Sequence, residues 1–230
     1  MPIVRIGAKL VYFAHVPRSA GSAIENYLVA RFGPLGFLDR NYVSYPALQP
    51  WNVSSPQHID VEAFDRLLPP SFFAARFAVV RHPIDRLISV FRFQRDIHNM
   101  IDSEQTFGAW LDRLPKLLQS DPYCFDNHVR PMAEIVPKNA RVFRLEDGTT
   151  PVVAWLDDIA GFPGEPRKIL PANTYEQRLV ELKKEAGSVP EVSDADRVKI
   201  RTYYRIDFER FGYDEKAPQH PVPPVVPADR

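Results

Sequence analysis

A chain of 230 residues with 45% hydrophobic content can bury one sizeable core, and its 29 basic residues against 29 acidic ones leave no global field to attract nucleic acid or an anionic membrane. The single cysteine, Cys124, excludes an intramolecular disulfide, and no Cys/His spacing matches a zinc site, so a reducing compartment and no structural metal are the defaults. No apolar run is long enough for a membrane span and the first residues lack the apolar stretch of a secretory signal, which makes a soluble, cytoplasmic protein the expectation.

Leu10 to His15 is apolar and β-prone; Pro17 and Gly21 then break the pattern, and Ala23 to Arg31 places Ile24, Tyr27 and Leu28 at helical spacing. Gly33 to Pro56 is punctuated by proline and glycine and reads as an irregular excursion. A weak helix over Asp60 to Leu68 stops at Pro69-Pro70, a second strand covers Arg76 to Val80, and Pro83 opens a helix that extends toward His98. Phe107 to Leu118 is amphipathic, with a kink or an end predicted at Pro115. A third strand spans Ala140 to Leu145, followed by helices over Pro151 to Ile159, closing at Gly161, Thr174 to Ala186 and Asp194 to Tyr204. Strands separated by helices predict parallel βαβ units in a three-layer αβα fold with a central parallel sheet. Residues 1–216 form one domain on this reading, and the Pro-rich tail 217–230 is extended or disordered.

Two segments carry candidate chemistry: Val11-Tyr-Phe-Ala-His-Val-Pro-Arg-Ser-Ala-Gly-Ser-Ala23 and Phe77-Ala-Val-Val-Arg-His-Pro-Ile-Asp-Arg-Leu-Ile-Ser89. Each is a buried strand running through a polar turn into a helix, where unpaired N–H groups and the helix dipole favour an anion. The first lacks both the Gly-x-x-x-x-Gly-Lys-Ser/Thr and the Gly-x-Gly-x-x-Gly patterns but keeps a forked cation at Arg18, hydroxyls at Ser19 and Ser22, and Ala20-Gly21 for close backbone approach. The second places Arg81 after the strand, Arg86 on the first helical turn and Ser89 beyond it. Each also has an ordinary reading. The first is then a serine-capped turn with a solvated arginine, and in the second Asp85 caps the helix and pairs with Arg86 or Ser89.

Together the two segments are more specific. His15-Val-Pro-Arg-Ser-Ala-Gly-Ser-Ala-Ile-Glu25 resembles the 5′-phosphosulfate loop of sulfotransferases, His-x-Pro-Lys-Thr-Gly/Ala-Gly-Thr-Ser. Phe77 to Ser89 is similar to their 3′-phosphate motif, Phe-x-x-Val-Arg-x-Pro-x-x-Arg-x-x-Ser. Asn127-His-Val-Arg-Pro-Met, Val142-Phe-Arg-Leu-Glu146 and Tyr203 to Tyr213 resemble later landmarks of the carbohydrate-type branch.

The resemblance implies a P-loop-like sulfotransferase fold and the donor 3′-phosphoadenosine-5′-phosphosulfate (PAPS). Arg18, Ser19, Ala20, Gly21, Ser22 and Ala23 would wrap its 5′ end, with Arg81 and Ser89 at its 3′-phosphate. The sulfuryl group would pass in line to a hydroxyl acceptor, a saccharide by analogy with the carbohydrate branch, without a metal, since fixed cations can stabilise the developing charge. Arg18 stands where the family usually has lysine. Its guanidinium can stabilise the leaving oxygen but cannot protonate it.

An acceptor hydroxyl needs a base, and histidine is the side chain best matched to neutral pH. By family position His58 is the favoured base and His128 the second; Glu25 is a further alternative, read as an outward-facing helix residue. Asn173-Thr174 is read as a helix cap before a nucleotide lid, Trp51 as the exposed candidate for stacking on a sugar, Trp110 and Trp155 as core, and Cys124 as a passive thiol. The rival readings are a P-loop-like kinase or nucleotide hydrolase and a non-catalytic nucleotide-binding module.

Overall fold

The computed structural model describes residues 2–42 and 52–213. Trp51, His220 and the tail 217–230 lie outside the described residues. Four strands form one sheet in the order β1 (Ile3–Ile6), β2 (Lys9–Ala14), β3 (Ala75–Val80) and β4 (Arg141–Arg144). The last three are parallel, as expected from the helices between them. The edge strand β1 was not expected; it pairs antiparallel to β2 through a tight turn at Gly7, whose φ is 59°. The sheet is therefore mixed only at that edge.

Helices α1 (Gly21–Phe32) and α5 (Thr150–Ala160) cover one face of the sheet. Ile24, Tyr27 and Leu28 from α1 and Val152, Val153 and Leu156 from α5 meet Phe13, Phe77, Val79 and Phe143 there. The opposite face, with Tyr12, Ala14, Ala78 and Val80, packs against Phe64 of α2 (Val61–Leu67), Met132, Ile135 and Val136. Phe211 of α8 (Arg205–Phe211) joins them. A further cluster links α3 (Pro83–Arg92), α4 (Phe107–Ser120), α7 (Asp194–Tyr203) and α8 through Leu87, Phe91, Trp110, Ile200, Tyr204 and Phe208. Alternating strand residues thus feed two apolar layers, which is the three-layer arrangement predicted.

Several boundaries differ from the sequence expectations for physical reasons. α4 runs through Pro115 because the apolar face of Phe107, Trp110, Leu111 and Leu114 stays buried while Pro115 itself is exposed. α3 stops at Arg92 and continues as a π-turn over Phe93–Ile97. α6 (Tyr175–Leu182) is capped by Thr174 with a reciprocal bond to Gln177 and ends at Lys183, whose φ of 54° closes it well before Ala186. Trp110 is buried and Trp155 lines the α1/α5 core, as expected. Among the described residues no helix is long and apolar enough to cross a membrane.

Candidate active site

Because β2 and β3 are parallel neighbours, with Ala14 opposite Ala78, the loops that leave their carboxyl ends lie side by side. The first runs from His15 to Ala20 and enters α1. Arg18 and Ala20 both have left-handed backbone, with φ of 64° and 63°. That conformation costs a non-glycine residue about 1 kcal/mol or more and clusters at ligand clamps. No side chain caps α1, so the serine-capped turn is not what forms, and the first amides of the helix keep their capacity to bind an anion. Ser19 is 1% exposed and its Oγ has no hydrogen-bond partner among the described residues, an orphaned polar atom within the loop. These features fit a 5′-phosphosulfate group, which would satisfy the loop amides and hydroxyls at once.

Gly21 has a different reason from the one its flexibility suggests. A Cβ there would lie inside the imidazole of His15. His15 in turn bonds Glu25 Oε1 through Nδ1 at 2.6 Å, and Glu25 is 2% exposed. Glu25 is therefore not the outward-facing residue that its helical position suggested. Burial pushes its carboxyl up, but the contact with His15 outweighs this and holds it below the usual carboxylate range.

The second loop is capped by His82, whose Nδ1 accepts from Ile84 N at 3.3 Å, and not by Asp85. Arg81 lies beside the first loop, with Nη1 at 3.5 Å from Arg18 O. Arg18 Nε donates to Ser89 Oγ at 3.0 Å while its guanidinium rests over the Phe93 ring, 3.9 Å from the centroid. Burial, with Arg81 nearby, pulls the Arg18 guanidinium below its ordinary value while leaving it charged at neutral pH. Burial likewise lowers Arg81. Ser22 Oγ accepts from Asn173 Nδ2 at 3.4 Å, so the late loop reaches the first one, although its capping residue is Thr174. Ala23 is buried on the inner side of α1.

Beside the first loop three histidines stand in a row. The His58 ring meets His15 at 4.7 Å and His128 at 4.9 Å between centroids, edge to face in both cases. His58 Nδ1 bonds Asp126 Oδ2 at 2.7 Å, and Asp126 also accepts from Ser55 N at 2.7 Å and Ser55 Oγ at 2.6 Å. Burial raises Asp126, but His58 and these donors outweigh it and hold the carboxylate well below its ordinary range. An ionised Asp126 accepts the Nδ1 proton of His58, which leaves Nε2 as the lone-pair nitrogen when the ring is neutral. His128 Nδ1 donates to Phe125 O, and burial together with the nearby His58 lowers His128 well below the imidazole range.

Residues outside the two motifs brace this assembly. Arg86 is fully buried and donates to His128 O at 2.8 Å and Arg130 O at 2.7 Å. Tyr204 Oη donates to Val129 O at 2.6 Å, and Asp207 accepts from Met132 N and Ala133 N at 2.9 and 2.8 Å. Glu146 accepts from His82 N at 2.6 Å and from Tyr213 Oη at 3.0 Å. The later landmarks thus tie down the loop that carries His128 and the start of α3. Cys124 is buried, with its thiol pushed up to about 11 by burial, and takes no part in the site.

No curated protein and no solved structure matches the chain. Residues 3–214 match the model of the Sulfotransferase family, which takes in both loops, the histidine row and the bracing segments described above. The chain therefore belongs to the sulfotransferase family and is an enzyme that transfers a sulfuryl group.

Proposed function

We propose that the donor is PAPS and that the acceptor is a hydroxyl group of a saccharide, deprotonated by His58. Bound PAPS would supply an activated sulfuryl group on a nucleotide leaving group. Arg18, Ser19 and the amides from Ala20 to Ala23 would hold its 5′ end, with Arg81 and Ser89 on the 3′-phosphate. Arg18, pre-oriented on Phe93, offers a fixed charge to the leaving oxygen, and Asp126 positions His58 with Nε2 free to take the acceptor proton.

The observation that carries this reading is the convergence at one sheet end of the Arg18–Ser89 contact, Arg81 and the Asp126–His58 pair. The kinase or hydrolase alternative needs a carboxylate after a strand for Mg²⁺. Glu146, which follows β4, is already engaged by His82 N and Tyr213 Oη. Calorimetric titration with adenosine 3′,5′-bisphosphate and with ADP tests the donor assignment: the bisphosphate should bind more tightly, and equal affinities would overturn it. Incubation with labelled donor and a panel of saccharides, lipid-linked glycans and small alcohols tests the acceptor; labelling of the alcohols alone would remove the saccharide.

A further inference from the structure

We propose that His58, Asp126 and His128 together form a binding site for a borderline divalent cation of the Zn²⁺ type, and that its occupation withdraws His58 from proton transfer and so inhibits the enzyme. The inhibitory half rests on His58 being the base. The metal site itself does not.

One ligand atom from each of the three residues lies within 4.8 Å of the other two. A zinc ion bonded at about 2.1 Å would draw such atoms to roughly 3.4 Å apart, a closure within reach of small rotations of two imidazoles. The His128 ring already shows the hydrogen-bond arrangement of a metal-ligating histidine, its Nδ1 held by the carbonyl of Phe125 so that Nε2 is its ligand atom. His58 Nδ1 lies 2.7 Å from Asp126 Oδ2, so a metal taking both atoms would replace the proton they share. Asp126 adds an ionised carboxylate with acceptor capacity left over, because two oxygens share only the donors Ser55 N, Ser55 Oγ and His58 Nδ1.

The ligands also stand on braced backbone. Phe125, Asp126 and Asn127 are consecutive left-handed residues, with φ of 53°, 53° and 62°. This costly run persists because Asn127 Nδ2 donates to His58 O at 2.8 Å, Arg130 Nε donates to Asn127 Oδ1 at 2.9 Å, and Arg86 grips the carbonyls on either side of Val129. One bond in that set ties the His58 segment directly to the His128 segment, so the ligands are fixed relative to each other in the free protein. Two imidazoles and one carboxylate suit Zn²⁺, Co²⁺, Ni²⁺ or Cu²⁺ and are poor partners for Mg²⁺, which prefers oxygen and keeps its water. Three protein ligands leave a further position open, and a metal on His58 Nδ1 leaves the ring proton on Nε2, so the nitrogen that would take the acceptor's proton no longer has a lone pair to offer.

The full chain, stripped with a chelator and titrated with Co²⁺, should show the visible absorption of four- or five-coordinate cobalt at one equivalent, displaced by Zn²⁺ and indifferent to excess Mg²⁺. Wild-type protein without that band overturns the site, whatever the variants do. His128→Gln should weaken Zn²⁺ binding about tenfold or more, whereas His98→Ala, whose ring bonds Gln94, should not. A band at full intensity in His128→Gln overturns the assignment. Sulfate transfer should fall as Zn²⁺ fills the site and return with chelator; undiminished transfer at saturating Zn²⁺ overturns the inhibition. A normal cobalt band in a protein that transfers sulfate under no condition supports the metal site and counts against the proposed function instead.

Discussion

Arg18 Nε donates to Ser89 Oγ, so the first loop is tied to α3 through a side chain 71 residues away in the chain before any donor arrives. The contact holds the guanidinium between the proposed sulfate end and the proposed 3′-phosphate end, with Phe93 beneath it. An arginine here supplies charge without a transferable proton. Arg18→Ala is expected to lower kcat by about 10²- to 10³-fold, the usual cost of a lost transition-state donor. Arg18→Lys, which restores a cation, should stay within about tenfold of wild type. Steady-state kinetics at saturating donor decides, and an unchanged kcat in Arg18→Ala would remove Arg18 from the reaction.

Arg81 and Ser89 are assigned to the phosphate that ADP lacks. Truncating either should weaken adenosine 3′,5′-bisphosphate binding by roughly 10- to 100-fold, the worth of a hydrogen bond to a charged group, and leave adenosine 5′-monophosphate nearly unaffected. Parallel loss for both nucleotides would place these residues elsewhere than at the 3′ end.

The Asp126–His58 pair predicts a split between rate and binding. His58→Ala should reduce kcat by about 10²- to 10⁴-fold, with donor affinity preserved. Asp126→Asn should follow in the same direction, because the amide no longer enforces the tautomer that leaves Nε2 free. Full turnover in His58→Ala would transfer the base role to another group, His128, 4.9 Å away between ring centroids, being the second candidate. A change in donor affinity alone would mark the pair as structural.

The parallel strands, most of the helices and both strand-to-helix loops could be read from the chain because each is a local pattern: an apolar run, a breaker, then helical spacing. The histidine row is not local. His58 and Asp126 are 68 residues apart and meet only because the segment before α2 packs against the loop that Arg86 and Tyr204 support. Zinc-type spacing rules, which look along the chain, pass over such a group. Glu25 looked outward because α1 gives a weak periodic signal near its start; its burial comes from His15, ten residues earlier, a tertiary contact. β1 carries no local signal of its own, because four residues make a strand only when β2 is there to pair with them.

Gly21 is fixed by the His15 ring rather than by a positive φ. Since His15 is held at Nδ1 by Glu25, it cannot swing aside cheaply to admit a methyl group. Gly21→Ala is expected to cost about 1 to 3 kcal/mol in stability and to displace the loop start, so that nucleotide affinity falls as well. Chemical denaturation and nucleotide titration on the same sample check both, and a fully stable variant with wild-type affinity would contradict the packing described.

Asp96 gives the fold an acid-sensitive anchor. Its carboxylate accepts from Arg95 Nε at 2.6 Å, Arg95 Nη2 at 3.0 Å and Tyr175 Oη at 2.6 Å, which ties the π-turn after α3 to α6. Burial raises this carboxyl, but Arg95 and Tyr175 more than compensate, so it lies below its ordinary range. A carboxyl depressed in the folded state contributes stability that is present above the unfolded value, about 4, and is lost as pH falls through the folded value. Asp96→Asn should therefore destabilise the protein at pH near 7 by about 1 to 3 kcal/mol. The difference from wild type should narrow as the pH drops below about 4, where the wild-type carboxyl is neutralised too. Denaturant unfolding curves of both proteins across that range test the sign, and a gap of constant size would mean that the anchor works through shape and not through charge.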